Sequence, residues 1–144
     1  MAILLSKQIK GNNMKKVLQS ALTIFIFIGL IACGNSNDPK SIVENFYQNI
    51  ASKKFDKAIN MVYLGDLKDS EMTKARDKIV MMISVLSEEI EKAGGLKSIE
   101  IKQIKLSKDG KKATVEHIVH LNKKDIKENM KLIQDNGKWK IQIH

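Results

Sequence analysis

Apolar residues recur every three or four positions in three segments between residues 40 and 90, which is the spacing of one buried face of an α-helix. The positions in the three stripes are Ile42, Val43, Phe46, Tyr47, Ile50 and Ala51, then Phe55, Ala58, Ile59 and Val62, then Met72, Ala75, Ile79, Met82, Ile83, Leu86 and Ile90. Asp38 directly precedes Pro39, so it is expected to cap the first helix. Gly65 is expected to end the second helix, and the Gly94-Gly95 pair the third.

Beyond Gly95 the apolar period shortens from about 3.6 to about 2, which indicates β-strands. A three-residue step between Ile101 and Ile104 predicts a bulge in the first strand. The four predicted strands contain Ile99, Ile101, Ile104 and Leu106, then Ala113, Val115, His117, Val119 and Leu121, then residues 126–134, then Trp139, Ile141 and Ile143. Asn136-Gly137 predicts a tight hairpin turn before the last strand.

This order of elements predicts an α+β domain over residues 39–144. Three N-terminal helices would pack on one face of a curved four-stranded antiparallel sheet. The chain has 144 residues, of which 43% are hydrophobic. That length and composition suit one small globular domain whose core includes Trp139, Phe46 and Phe55.

A different pattern precedes the domain. Lys15 and Lys16 come before an apolar stretch, residues 17–32, which is typical of a secretory signal peptide. As a helix this stretch would reach only about 24 Å, short of the roughly 30 Å hydrocarbon core of a bilayer, so a permanent transmembrane helix is the less favoured interpretation. Because signal peptides usually begin with their basic residues, Met14 is the expected start. Residues 1–13 would then be a mis-called extension. If the chain starts at Met1 instead, they form an unusually long region before the apolar stretch.

The end of the apolar stretch, Leu30-Ile31-Ala32-Cys33, resembles the lipobox of bacterial lipoproteins. The resemblance implies that residues 14–32 are cleaved off and that Cys33 carries a diacylglycerol and an acylated amino group. Residues 33–38 would form a lipidated tether to a bacterial cell membrane, where each buried CH₂ contributes about 0.8 kcal/mol. Gly34 stands where an Asp would resemble an inner-membrane retention signal, so the outer membrane is favoured if the cell has two.

Two further segments, residues 38–47 (DPKSIVENFY) and 54–62 (KFDKAINMV), resemble the opening of small bacterial lipoproteins in the nuclear-transport-factor-2-like superfamily, whose domain is a cystatin-like cone. The resemblance implies a cone-shaped α+β fold with a pocket between the helices and the sheet. Those lipoproteins are largely of unknown function, so the resemblance implies a fold more than a specific biochemical function.

The net charge of +9 falls when the signal-peptide lysines are removed, and the remaining lysine pairs suit solvated turns or an anionic membrane surface. Nucleic-acid binding is not expected, because the chain is exported and its basic residues have no interleaved aromatics. Cys33 is the only cysteine, so an intrachain disulfide and a cysteine-based metal site are excluded. His117 and His120 should point to opposite faces of their strand, which disfavours a histidine metal site. No metal or cofactor is predicted.

Three residues are predicted to line a pocket in the cone: His117, Tyr63 and Trp139. His117 is expected to point inward and most simply to bond to the backbone, whereas His120 and His144 should face solvent. Enzymes of this superfamily place an Asp or His with a Tyr inside the cone, and Tyr47, Tyr63, Asp66 and His117 are the residues that would supply such groups. Tyr47 and Tyr63 equally suit the edge of the core with the hydroxyl in water. None of these residues matches a catalytic motif of the family.

The sequence therefore favours a non-enzymatic, lipid-anchored envelope protein that binds a small ligand or another envelope protein. Two alternatives stay open: a cone-pocket enzyme of the isomerase or dehydratase type, and an inhibitor or immunity lipoprotein acting on another envelope protein. The sequence does not specify the ligand, the partner or the oligomeric state.

Overall fold

The computed structural model describes residues 37–143, so Cys33, the predicted signal peptide and His144 lie outside the described residues. The helices are α1 (Pro39–Ala51), α2 (Phe55–Asn60) and α3 (Asp69–Lys92). The strands are β1 (Val62–Tyr63), β2 (Leu96–Leu106), β3 (Lys112–Leu121), β4 (Asp125–Asp135) and β5 (Lys138–Gln142).

The helix ends follow the local chemistry of the sequence. The Asp38 carboxylate accepts a hydrogen bond of 2.6 Å from the backbone N–H of Ser41, which confirms the predicted cap. Gly94 and Gly95 follow α3 with φ of 85° and 100°, a region that favours glycine. The second helix is shorter than predicted, because it ends at Asn60 and Val62 enters a strand.

The sheet has five strands in the order β1-β5-β4-β3-β2, so the prediction of a four-stranded antiparallel sheet is wrong. The additional strand, β1, pairs parallel to β5, with Val62 opposite Ile141. The other pairs are antiparallel, as expected from their short connections. The predicted bulge is confirmed by a register shift between Ile101 and Gln103 of β2.

The helices cover one face of this sheet, and the core lies between the two layers. Its fully buried side chains include Val43 and Ile50 of α1, Ile83 of α3, and Leu132 of β4. On the opposite face of the sheet, β3 places the half-buried side chains of Thr114, Glu116, Ile118 and His120, as its alternation predicts. None of the helices in residues 37–143 is long and apolar enough to cross a bilayer. The α+β class with three packed helices in the described residues is therefore confirmed.

Candidate functional site

A groove of about 320 Å³ opens between the helices and the sheet, at the point where β5 ends beside β4. α1 and α3 form one wall, and β4 with the end of β5 forms the other. The lining residues are Phe46, Tyr47, Met82, Leu86, His117, Glu128, Asn129, Met130, Lys131, Ile141, Gln142 and Ile143. Most of the side chains on the helix side are apolar, so the groove suits an apolar group.

His117 and Tyr47 form a buried polar pair in this groove. Their side chains come from β3 and α1, and they are 2% and 5% exposed. His117 Nε2 lies 3.1 Å from the Tyr47 hydroxyl oxygen, and His117 Nδ1 lies 3.1 Å from the carbonyl oxygen of Val115. A carbonyl oxygen only accepts, so Nδ1 must carry the proton. In the neutral ring Nε2 then accepts the hydrogen bond that the Tyr47 hydroxyl donates.

Burial keeps both members of the pair neutral. It lowers the pKa of His117, although the bond to Val115 and the Glu128 carboxylate partly oppose that effect. Burial also raises the pKa of Tyr47, and the negative charge of Glu128 raises it further. A neutral tyrosine that donates to His117 still has a lone pair on its oxygen. The pair can therefore accept a hydrogen bond from a ligand without losing its own.

The mouth of the groove combines apolar and acidic groups. Glu128 lies opposite His117 in the register of β3 and β4, and it is exposed. Met82 and Ile143 are 40% and 37% exposed, so they offer apolar surface to a ligand at the mouth of the groove. A ligand with an apolar body and a hydrogen-bond donor or positive charge would fit these groups.

The three residues predicted to line a pocket occupy different places. His117 lines the groove. Tyr63 lines a neighbouring depression of about 440 Å³ between β1 and α3. Trp139 is buried in the core, where its backbone N–H donates to the Asn37 side chain over 3.0 Å. Asp66 is exposed in the loop after β1.

The sequence named Tyr47 and His117 among four candidate cone residues without pairing them. Of the two alternatives left open for Tyr47, the hydroxyl lies inside the groove and not in water, because it bonds to His117, 70 positions away. Sequence reasoning missed Glu128, for which a signal existed. The tight turn at Asn122-Lys123 fixes the register of β3 and β4, and that register places Glu128 opposite His117.

His120 lies on the other face of the sheet, 26% exposed. Its Nδ1 lies 2.8 Å from Asp125 and its Nε2 lies 3.0 Å from Glu100. The hydrogen bond to Asp125, followed by the bond to Glu100, raises the pKa of His120. Within residues 37–143, no group of three or more His, Cys, Asp or Glu side chains is arranged to hold a metal ion.

Comparison with one solved structure supports the fold. A proposed nuclear-transport-factor-2-like transpeptidase from Campylobacter jejuni superposes with a TM-score of 0.67 at 22% identity, covering 74% of this chain and 99% of that one. A designed protein with the same fold gives a TM-score of 0.40 at 16% identity, over 71% of this chain and 79% of that one. No protein-family model and no curated protein sequence matches the chain. The fold is therefore nuclear-transport-factor-2-like.

Proposed function

We propose that this nuclear-transport-factor-2-like domain is a non-catalytic ligand-binding module, held at a bacterial cell-envelope membrane by a lipid on Cys33. The ligand occupies the groove above the Tyr47–His117 pair. Where the cell has two membranes, the outer one is the proposed location, because Gly34 rather than Asp follows the cysteine.

The observation that carries the proposal is the hydrogen bonding of His117 in an apolar groove. Both ring nitrogens already have partners, so the ring is held in one tautomer and has no free lone pair with which to take a proton from a substrate. None of the described residues that line the groove is Ser, Thr or Cys, the usual nucleophiles of acyl transfer. The neighbour from Campylobacter jejuni shares the fold at 22% identity, and its named activity has no matching nucleophile in this groove.

The apolar lining of the groove favours ligand binding over catalysis. A groove of about 320 Å³ is at the lower end of the volumes that hold small ligands, about 300 to 1,000 Å³. Met82 and Met130 lie on opposite walls. Their unbranched side chains adapt to ligands of different shape.

The groove is tested with a neutral apolar fluorophore, N-phenylnaphthylamine, added to the full chain in mild detergent. The proposal predicts saturable fluorescence enhancement that Met130→Asp abolishes, because the new carboxylate would lie in the groove. Met81→Asp is the matched control, since Met81 is 71% exposed on α3 and does not line the groove. Equal loss in both variants, or no saturable signal in the wild type, would contradict binding of a small apolar ligand in the groove.

The anchor is tested separately by membrane fractionation. The wild-type chain should sediment with membranes and partition into detergent, whereas Cys33→Ala should be soluble or accumulate unprocessed. Gly34→Ala is the control, because it leaves the cysteine in place. Membrane association of Cys33→Ala equal to that of the wild type would exclude the lipid anchor.

Turnover of small hydroxy or keto compounds that His117→Ala abolishes would favour the enzyme instead.

A further inference from the structure

One edge of β4 is open beside the groove. β4 has 11 residues, but β5 pairs only with Leu132–Asp135. Residues 125–130 therefore have β3 on one side and no paired strand among the described residues on the other. At about 3.3 Å per residue, the open stretch is roughly 20 Å long.

The hydrogen-bond pattern of the β3–β4 hairpin identifies the backbone groups that face this gap. Leu121 N–H donates to the carbonyl of Lys124 at the turn over 2.9 Å. Hydrogen-bonded pairs alternate along an antiparallel ladder, so Glu128, opposite His117, bonds toward β3. The backbone N–H and C=O groups of Lys127 and Asn129 consequently point away from β3, toward the gap.

The open edge and the groove form one surface. Four consecutive residues of β4, numbers 128–131, line the groove, although successive side chains of a strand point to opposite faces. Consecutive lining means that the groove runs along the backbone edge and is not confined to one face. An occupant of the groove thus meets both apolar side chains and unpaired backbone groups, which an extended polypeptide satisfies.

The other long edge of the sheet lacks this combination. β2 is interrupted by two register shifts, between Leu96 and Ser98 and between Ile101 and Gln103, and such bulges disfavour pairing with another chain. Its exposed Lys102 and Lys105 form ion pairs with Glu100 and Glu116. Residues 125–130 of β4 pair with β3 without a register shift.

We propose that the ligand of the groove is an extended peptide segment of an envelope protein, which adds to the sheet as a strand beside residues 125–130 of β4. The inference rests on the proposed function and specifies its ligand. A peptide residue opposite Met130 would place an apolar side chain in the groove. Two positions away, on the same face, a Lys or Arg side chain would lie beside the Glu128 carboxylate. The intervening peptide residue would exchange both backbone hydrogen bonds with Asn129.

The probe is the peptide acetyl-Thr-Thr-Leu-Thr-Lys-Thr-Thr-amide, whose antiparallel addition places Leu opposite Met130 and Lys opposite Glu128. It is added to the full chain in detergent micelles, and amide hydrogen exchange is measured by NMR. In the free protein, the amides of Lys127 and Asn129 should exchange fast and those of Glu128 and Met130 slowly. Peptide binding should slow exchange at Lys127 and Asn129 by about tenfold or more and leave the other two unchanged. A random heptapeptide library is screened in parallel, so that the result does not depend on one sequence.

Backbone pairing is distinguished from side-chain binding by methylating single peptide nitrogens. A methyl on the central Thr nitrogen removes the N–H that bonds to Asn129, and the expected loss of affinity is about tenfold or more. A methyl on the Leu nitrogen is the matched control, because that N–H points away from β4. Equal affinity of the two methylated peptides would overturn the inference.

A protein variant gives an independent test. Asn129→Pro removes the edge N–H without breaking the ladder to β3, and it should weaken peptide binding about tenfold or more. Asn129→Ala, which keeps the N–H, should weaken peptide binding much less than Asn129→Pro does. If the proline variant does not fold, as judged by circular dichroism, the inference is tested by the amide exchange of the wild type with and without peptide. Unchanged exchange at Lys127 and Asn129 would overturn it.

The fluorophore assay separates the two proposals. Saturable fluorophore binding, with no peptide that slows exchange at Lys127 and Asn129, would overturn the peptide inference and leave the groove as a small-ligand site. Absence of both kinds of binding would overturn the proposed function as well.

Discussion

The hydrogen bond between Tyr47 and His117 can be measured by a double-mutant cycle. Tyr47→Phe removes only the hydroxyl and leaves the ring in place. His117 is only 2% exposed, and its Nε2 then loses the hydroxyl donor that lies 3.1 Å away. His117→Leu leaves the Tyr47 hydroxyl without its acceptor. Each single change strands one buried polar group, whereas the double variant removes both.

The expected magnitudes follow from that difference. An unsatisfied buried polar group costs about 1 to 3 kcal/mol, whereas loss of a whole hydrogen bond costs about 0.5 to 1.5 kcal/mol. Each single variant should therefore lose about 1 to 3 kcal/mol of unfolding free energy. The double variant should lose less than the sum of the two, by a coupling energy of about 1 to 3 kcal/mol.

Urea denaturation of the full chain in mild detergent provides the assay, with tryptophan fluorescence as the signal. Trp139 is the only tryptophan and is buried, so it reports loss of the core directly. A loss of 2 kcal/mol should lower the urea midpoint by about 1 M. Additive losses, with coupling below about 0.5 kcal/mol, would refute the assignment of a strong buried bond.

Three further outcomes are expected. Leu132→Ala should lower the unfolding free energy by about 2 to 5 kcal/mol, because the side chain is fully buried; a loss below 1 kcal/mol, measured by urea denaturation, would contradict that packing. Asp38→Ala should lower the unfolding free energy by about 1 kcal/mol, because the bond to Ser41 is lost, whereas Asp38→Asn should retain a capping bond and most of the stability. Equal thermal midpoints for the two variants would show that the Asp38 side chain does not stabilise the helix. The pH dependence of stability should carry opposite contributions from two histidines. The pKa of His117 is lowered on folding, so its contribution to the unfolding free energy falls as the pH drops below about 6.5. The pKa of His120 is raised on folding, so its contribution to the unfolding free energy is lost as the pH rises above about 6.5. His117→Leu should flatten the acid limb and His120→Gln the alkaline limb, and unchanged limbs in denaturation at several pH values would show the shifts to be absent.

Features set by neighbouring residues were predictable from the sequence. Asp38 before Pro39 gave the start of α1, because the capping bond forms within one turn. Asn136 and Gly137 have φ of 49° and 76°, the pair of positive angles that a tight hairpin turn requires. The change of apolar period after Gly95 located the start of the sheet.

β1 was not predictable, because its two residues are too short to show a period. Val62 also fits the stripe of the preceding helix, so the local pattern favoured the wrong element. Its strand conformation depends on pairing with Ile141, which is 79 positions away along the chain. Tertiary pairing of this kind overrides local preference.

The candidate site was predictable only in part, for a similar reason. Alternation along β3 turned His117 inward, but its partner depends on how α1 crosses the sheet. The apolar stripe of α1 placed Tyr47 in the core without showing what its hydroxyl meets. The open edge of β4 follows from the unequal lengths of β4 and β5, and strand ends are weakly encoded in sequence.

The mass of the mature protein is the most direct test of the central claim, which is a ligand-binding domain held at the envelope by a lipid on Cys33. Intact mass spectrometry, native and denaturing, would be performed on protein solubilised from its own membranes. The account predicts a chain beginning at Cys33 that carries the mass of a diacylglycerol, with or without a further acyl chain. An unmodified chain beginning at Met1 or Met14 would contradict it.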